Sequence, residues 1–290
     1  MPNGIIIIDK PAGWTSMDVC AKLRGLFREK RVGHAGTLDP MATGVLPVFV
    51  GRATRAVEFA ERGAKEYLAG LRLGVTTDTQ DTTGTVLAER TVSVEPEELE
   101  AVLPRFRGEI LQIPPMYSAV KIGGKKLYEL ARKGREVERK PRPVTLYELD
   151  IVERCGANEY LLRAACSKGT YIRTLCHDIG QALGCGGAMC SLRRTAAAGF
   201  TLAEAVTLNQ VLEAPDPAAL LRPVDAYFAD RPELRLHSAA AEKKVRNGAS
   251  FRFPEAGDGE YRVYGLDGQF LMLGRVEQGM LSTIKNFFEV

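Results

Sequence analysis

Gly33-His-Ala-Gly-Thr-Leu-Asp-Pro-Met-Ala-Thr-Gly44, running straight into the strand-like Val45-Leu-Pro-Val-Phe-Val50, is the stretch on which the fold turns. Three glycines, a proline and two threonines surround a single carboxylate, Asp39. Pro40 disfavours helical backbone at Asp39, so the acid belongs to a rigid loop. An Asp-Pro pair in such a loop either caps its own turn, the commoner use, or presents a reactive carboxylate among apolar neighbours, here Leu38 and Met41. The glycine spacing fits neither a phosphate-cradling Gly-x-x-x-x-Gly-Lys-Ser/Thr loop nor a Gly-x-Gly-x-x-Gly dinucleotide turn.

Working outward, the isoleucine run of residues 4–9 reads as a buried strand ended by the turn Lys10-Pro-Ala-Gly13. Thr15-x-x-Asp18 has capping-box character, and Val19, Leu23, Leu26 and Phe27 recur at helical spacing, which predicts a helix over 16–28. Beyond Val50 the pattern predicts a helix over 52–62, strands over 67–73 and 144–152, turn chemistry over 77–84 and a helix over 95–105. A short basic helix is expected over 125–133, closed by Gly134. A strand over 158–166 leads to Ser167-Lys-Gly-Thr170, read as the cap of a helix with Ile172, Leu175, Cys176, Ile179 and Leu183 on its apolar face, and Gly184 stops it. The Pro-rich 214–223 stretch reads as a linker, and Asp267-Gly268 between two apolar runs reads as a hairpin. Two units follow: a mixed α/β body to about residue 225 and a small β module after it.

The 290 residues, 45% hydrophobic and 26% charged, describe an ordinary globular chain. No apolar run approaches the ~18 residues of a membrane span, and the opening isoleucines lack the flank and length of a signal peptide. Six cysteines without a Cys-x-x-Cys pair read as reduced thiols, which points to the cytoplasm and away from a disulfide framework. Cys176-His177, Cys185 and Cys190 do not have the spacing of a structural zinc site, and Asp78-x-x-Asp81 lacks the other ligands of a calcium loop, so no metal is expected. Three histidines and no Gly-x-Ser-x-Gly give a serine hydrolase little support. Net charge is only +3, but the segment from Lys121 to Arg142 holds nine basic residues against three glutamates. Such a local excess is either a solvated face or a polyanion-binding arm. Arg173, next to buried Ile172, is either a surface arginine or the partner that keeps a buried Asp ionised.

Taken together, the Gly33–Leu46 loop and strand, Lys65-Glu-Tyr67, Met116-Tyr-Ser-Ala-Val-Lys121 and Ser167-Lys-Gly-Thr-Tyr-Ile-Arg173 resemble the bacterial tRNA pseudouridine synthase B (TruB) family, in the family's order. One departure is Ala196-Ala-Ala after Ser191-Leu-Arg-Arg-Thr195, where the family commonly carries a further basic residue. The resemblance implies an α+β fold with a mixed, largely antiparallel central sheet flanked by helices. It implies a catalytic domain over 1–225, with a basic mobile arm at about 114–143, and a PUA-like RNA-binding domain over 226–290. It implies isomerisation of uridine 55 in the tRNA T arm to pseudouridine, without cofactor, metal, membrane or obligate protein partner. Asp39 matches the family's catalytic aspartate, acting either as nucleophile or as the base that removes the C2′ proton. Tyr67 matches its stacking tyrosine, Tyr171 and Arg173 its pocket tyrosine and salt-bridge arginine, Leu192 a pocket wall, and His34 a T-loop contact. Lys10 is implied to be supporting. Lys121, Lys125, Lys126, Arg132 and Arg139 of the arm are implied to meet RNA. A non-catalytic RNA-binding protein and a carboxylate-dependent glycosidase are the competing readings; the latter usually wants a second facing carboxylate, and none accompanies Asp39 in its loop.

Overall fold

The computed structural model describes residues 1–288. Ten strands form one sheet: β1 (Gly4–Lys10), β2 (Val32–His34), β3 (Thr43–Val50), β4 (Lys65–Leu73), β5 (Gly108–Gln112), β6 (Arg142–Arg154), β7 (Glu159–Cys166), β8 (Gly187–Ala197), β9 (Phe200–Thr201) and β10 (Val206–Thr207). Their order is β10-β1-β3-β8-β4-β7-β6-β5, with β2 added to β3 and β9 to β8. The β1–β10 and β3–β8 pairs are parallel and the remaining pairs antiparallel, as the mixed, largely antiparallel expectation requires. Ile5 to Ile8 are buried on both faces, so β1 is interior, and it pairs along its length with β3, from Gly4 opposite Val50 to Lys10 opposite Gly44.

Helix α1 (Ser16–Phe27) begins with the expected capping box: Thr15 accepts from the Asp18 amide and Asp18 accepts from the Thr15 amide. It buries Val19, Leu23 and Phe27 in the main core with Ile6 and Ile8. Each such side chain contributes about 1.5–3 kcal/mol. Helix α2 (Ile172–Ala182) buries Ile172, Leu175, Cys176 and Ile179 on the same core. Gly180 lets it approach β8, because a Cβ there would stand 2.1 Å from the Gly187 nitrogen.

Four local expectations need correction. Residues 52–62 are not one helix but a 3-10 turn, Gly51–Ala56, followed by Val57–Ala60; Gly51 has φ +66° and Thr54 folds its hydroxyl back to the Gly51 carbonyl. The basic stretch opens as a hairpin, Lys121–Ile122 against Lys125–Lys126, before a helix over Leu127–Ala131, because Gly123-Gly124 takes positive φ at both positions. Ser167–Thr170 is a turn and does not cap α2; the Tyr171 amide at its start is taken by Gln112 Oε1 at 2.7 Å. The 214–223 stretch is no free tether: Arg222 and Ile5 exchange two 2.8 Å backbone bonds.

A second sheet has five strands, Glu233–Arg235, Phe251–Arg252, Gly259–Tyr264, Phe270–Glu277 and Met280–Asn286, with the expected turn at Asp267-Gly268. Phe228, Phe270 and Phe287 form an aromatic cluster that also meets Phe59, so the two sheets share a core with Ile5, Ile7 and Phe49. Among the described residues no helix is long and apolar enough to cross a membrane, no group of three or more His, Cys, Asp or Glu could hold a metal ion, and all six cysteines are unpaired.

Candidate active site

The Asp39 loop is fastened from below before any substrate arrives. Ser16 Oγ accepts from the Leu38 amide at 2.9 Å, the Gly13 amide donates to the Pro40 carbonyl at 2.8 Å, and Ala42 N–H donates to the Asp39 carbonyl at 3.0 Å. Lys10 is fully buried and gives its ammonium to the carbonyls of Pro11, Trp14 and Pro40 at 2.8, 2.6 and 3.3 Å. Burial brings that amine down to about 8, against the pull of Asp39. On the other side Arg194, wholly buried, donates to the carbonyls of Val45 and Gly36 at 2.7 and 3.1 Å. Gly44 is obligatory here, with φ +102° and any Cβ only 2.2 Å from the Arg194 carbonyl oxygen.

The Asp39 side chain is therefore free of turn-capping duty, and it turns to α2. Arg173 Nε lies 2.9 Å from Oδ2 and Nη2 lies 3.3 Å from Oδ1, a two-pronged ion pair. The guanidinium is held in turn by the carbonyls of Thr79 and Tyr117 at 3.1 and 2.9 Å, and Asp81 approaches it at 3.7 Å. Arg173 is thus a buried arginine and not a surface one. Burial pushes the Asp39 carboxyl above its ordinary value; Arg173 opposes this and the Asp81 charge reinforces it.

These groups face a cavity of about 710 Å³, lined also by Tyr67, Tyr171, Leu192, Tyr117, Tyr128 and Arg132. Strand alternation explains the walls. Arg194 stands opposite Tyr67 and Leu192 opposite Ala69 in the β4–β8 register, so Tyr67, Leu192 and Arg194 share one sheet face. Burial raises the Tyr67 phenol.

Asp39, Tyr67, Tyr171, Arg173 and Leu192 come together in this cleft, and Lys10 sits under its loop. His34 does not line it: the ring lies on β2 opposite Val48, its Nδ1 buried without a partner, and burial brings its pKa down to about 4. In the arm, Arg132 reaches the cleft, Lys126 and Arg132 flank the Tyr128 ring at 5.4 and 5.3 Å, and Lys121 and Lys125 are exposed. Arg139 instead folds back on its own segment, bonded to Glu136 at 2.8 Å and the Pro114 carbonyl at 3.3 Å. The arm has anchors that its charge obscured, Met116 and Leu127, both buried. Sequence reasoning missed Asp81, Arg194, Tyr117 and Tyr128. Asp81 looked like a turn residue and is one, accepting from Thr79 and Thr83, and only the fold brings its second oxygen to Arg173.

A carboxylate and guanidinium locked together at the floor of an aromatic cleft, with Asp81 as a second carboxylate 3.7 Å from that guanidinium, on a mixed sheet of this order, define an enzyme site in which Asp39 is the acid paired most closely with the arginine. The chain belongs to the TruB family of pseudouridylate synthases: the family's N-terminal domain matches residues 24–172, and the tRNA pseudouridylate synthase B C-terminal domain matches residues 173–229. It is 48% identical over 283 residues to the tRNA pseudouridine synthase B of Azoarcus sp. strain BH72, covering 96% of this chain and 93% of that one. It is 42% identical over 290 residues to the tRNA pseudouridine synthase B of Clostridium kluyveri, covering 98% and 99%. Among solved structures, a chain of a Cbf5–Nop10–Gar1 complex superposes with a TM-score of 0.74 at 27% identity, over 98% of this chain and 85% of the other.

Proposed function

We propose that this enzyme converts uridine 55 in the T-arm loop of tRNA to pseudouridine, with Asp39 as its catalytic residue. The N1–C1′ bond breaks, the base turns, C5 bonds to C1′, the C5 hydrogen leaves as a proton, and N1 takes up a proton from solvent. Atoms and electrons balance without oxidant, reductant or hydrolytic water. The names of the relatives support the tRNA substrate, and the observation that carries the catalytic assignment is the Asp39–Arg173 pair at the cavity floor.

Asp39 either bonds to C1′ or removes the C2′ proton, and on both routes its negative charge offsets oxocarbenium character in the sugar. The uridine must leave its stack, which costs a few kcal/mol. Stacking on Tyr67 returns roughly 1–3 kcal/mol, and Tyr171 and Leu192 close the remaining sides. Arg173 keeps Asp39 ionised against its burial. His34, neutral and largely buried, offers the T loop a hydrogen bond and no charge. Lys121, Lys125, Lys126 and Arg132 bind stem-loop phosphates, Arg139 chiefly shapes the arm, and residues 226–290 act as a PUA-like RNA-binding domain beside a catalytic domain of 1–225.

The test is tritium release from a T-arm minihelix labelled at uridine C5, since isomerisation must expel that hydrogen. Release with stoichiometric pseudouridine is expected. Full retention of the label on incubation with active-site excess of enzyme would contradict the reading, and free uracil would point to glycoside hydrolysis.

A further inference from the structure

Beside the nucleotide cleft lies a second cavity of about 600 Å³. The two share Gly36, Lys65, Gly169 and Tyr171, so Tyr171 borders both. Three cations line the second space, Lys65, Arg142 and Lys168, against one acid, Glu61. They come from three separate elements: Lys65 opens β4, Arg142 opens β6, and Lys168 sits in the turn between β7 and α2.

Their bonding is unfinished. Lys65 is 9% exposed, and its ammonium meets only two carbonyls, Glu61 at 3.2 Å and Gly63 at 2.9 Å, leaving one of three donors open. Lys168 and Arg194 add like charge to Lys65 and, with burial, lower its pKa. Arg142 and Lys168 have no ion-pair partner among the described residues. Three cations that repel one another, set against one exposed carboxylate, Glu61, leave an excess of positive charge that an outside anion would neutralise. Val120 of the arm forms another wall.

We propose that this cavity is a phosphodiester subsite, in which Arg142 and Lys168, backed by Lys65, grip a backbone phosphate next to the nucleotide whose base enters the cleft. The inference rests on the isomerase reading above, which supplies an RNA in that cleft. Base and phosphate would pass on opposite sides of Tyr171, so the subsite fixes the register of the strand and adds no preference for a base.

The experiment uses T-arm minihelices in which one phosphate at a time is replaced by a neutral methylphosphonate, bound to the full chain and to Arg142→Gln/Lys168→Gln. Both side chains are exposed, so the variant keeps its fold, checked by an unchanged melting temperature. One or two positions near the target uridine are expected to lose on the order of tenfold in affinity with the unsubstituted chain and almost nothing further with the double variant. The double variant's salt slope should also fall by about 1–2. Equal methylphosphonate losses in both proteins at every position would overturn the subsite while leaving the isomerase reading intact. The coupled loss in binding, seen together with no pseudouridine from the unsubstituted chain, would support the subsite and overturn the isomerase reading.

Discussion

Replacing Arg173 with Met removes the cation shared by two carboxylates, and its cost follows from the geometry. The guanidinium stands 2.9 Å from Asp39 and 3.7 Å from Asp81, with side-chain exposures of 7% for Arg173, 33% for Asp39 and 7% for Asp81. Removing one partner of a fully buried pair costs about 3–5 kcal/mol. Asp39 is one-third open to water, so its share is discounted. The bonds to the Thr79 and Tyr117 carbonyls, lost as well, add about 1 kcal/mol or less each. The expected loss is about 3–4 kcal/mol, a fall in Tm of about 5–7 °C for a chain of 290 residues. The loss also depends on pH. Burial already holds the Asp39 carboxyl above its ordinary value with Arg173 opposing, and without Arg173 it rises further. A carboxyl whose pKa is higher folded than unfolded favours the folded state while protonated, and that contribution fades as pH rises through the folded value. The deficit should therefore be smaller at pH 5 than at pH 8. Urea denaturation of the unsubstituted chain, Arg173→Met and Arg173→Met/Asp81→Asn at both pH values is the assay. Neutralising Asp81 should recover about 1 kcal/mol without recovering turnover. A deficit equal at the two pH values, or an Asp81→Asn change that adds to the loss, would refute the shared-cation reasoning.

Other outcomes follow from single positions. Tyr67→Phe keeps the ring and should retain most binding of a T-arm RNA, whereas Tyr67→Ala should lose about 1–3 kcal/mol, measured as a ~5- to 150-fold fall in kcat/KM. Gly44→Ala places a Cβ 2.2 Å from the Arg194 carbonyl at φ +102°, so a loss of at least about 3 kcal/mol is expected in thermal melts. His34, held near 4 in the folded chain, is stabilising above its unfolded value and loses that contribution as pH falls toward 4. His34→Gln should flatten the stability-pH curve between about 6.5 and 4 by up to about 3 kcal/mol, measured by urea titrations across that range.

How far the sequence carried can be judged element by element. β1 and α1 were legible because a short local pattern in each announces its environment: an unbroken isoleucine run has no solvent face, and Thr15-x-x-Asp18 closes its own hydrogen bonds. The start of α2 was misread because it has no side-chain cap, and the amide of its N-cap residue, Tyr171, is taken by Gln112, 59 residues away in sequence, which no local pattern encodes. Gly123-Gly124 did carry a hairpin signal, which the surrounding lysines masked. In the cleft, Asp39, Tyr67, Tyr171, Arg173 and Leu192 were readable through family resemblance, since they lie in distinctive motifs. Asp81 and Arg194 were not. Each looks ordinary in its own strand or turn, and burial beside a distant partner gives it meaning. The same holds for the basic cavity, whose three cations are far apart in the chain.

The most direct measurement of the central claim is Asp39→Asn, which keeps the shape of the side chain and removes its charge. With a T-arm minihelix labelled at uridine C5, binding should stay within a few-fold of the unsubstituted chain while single-turnover release of tritium falls by about 10³-fold or more. Tritium release by Asp39→Asn at a rate near that of the unsubstituted chain would contradict the assignment of this carboxylate as the group that does the chemistry.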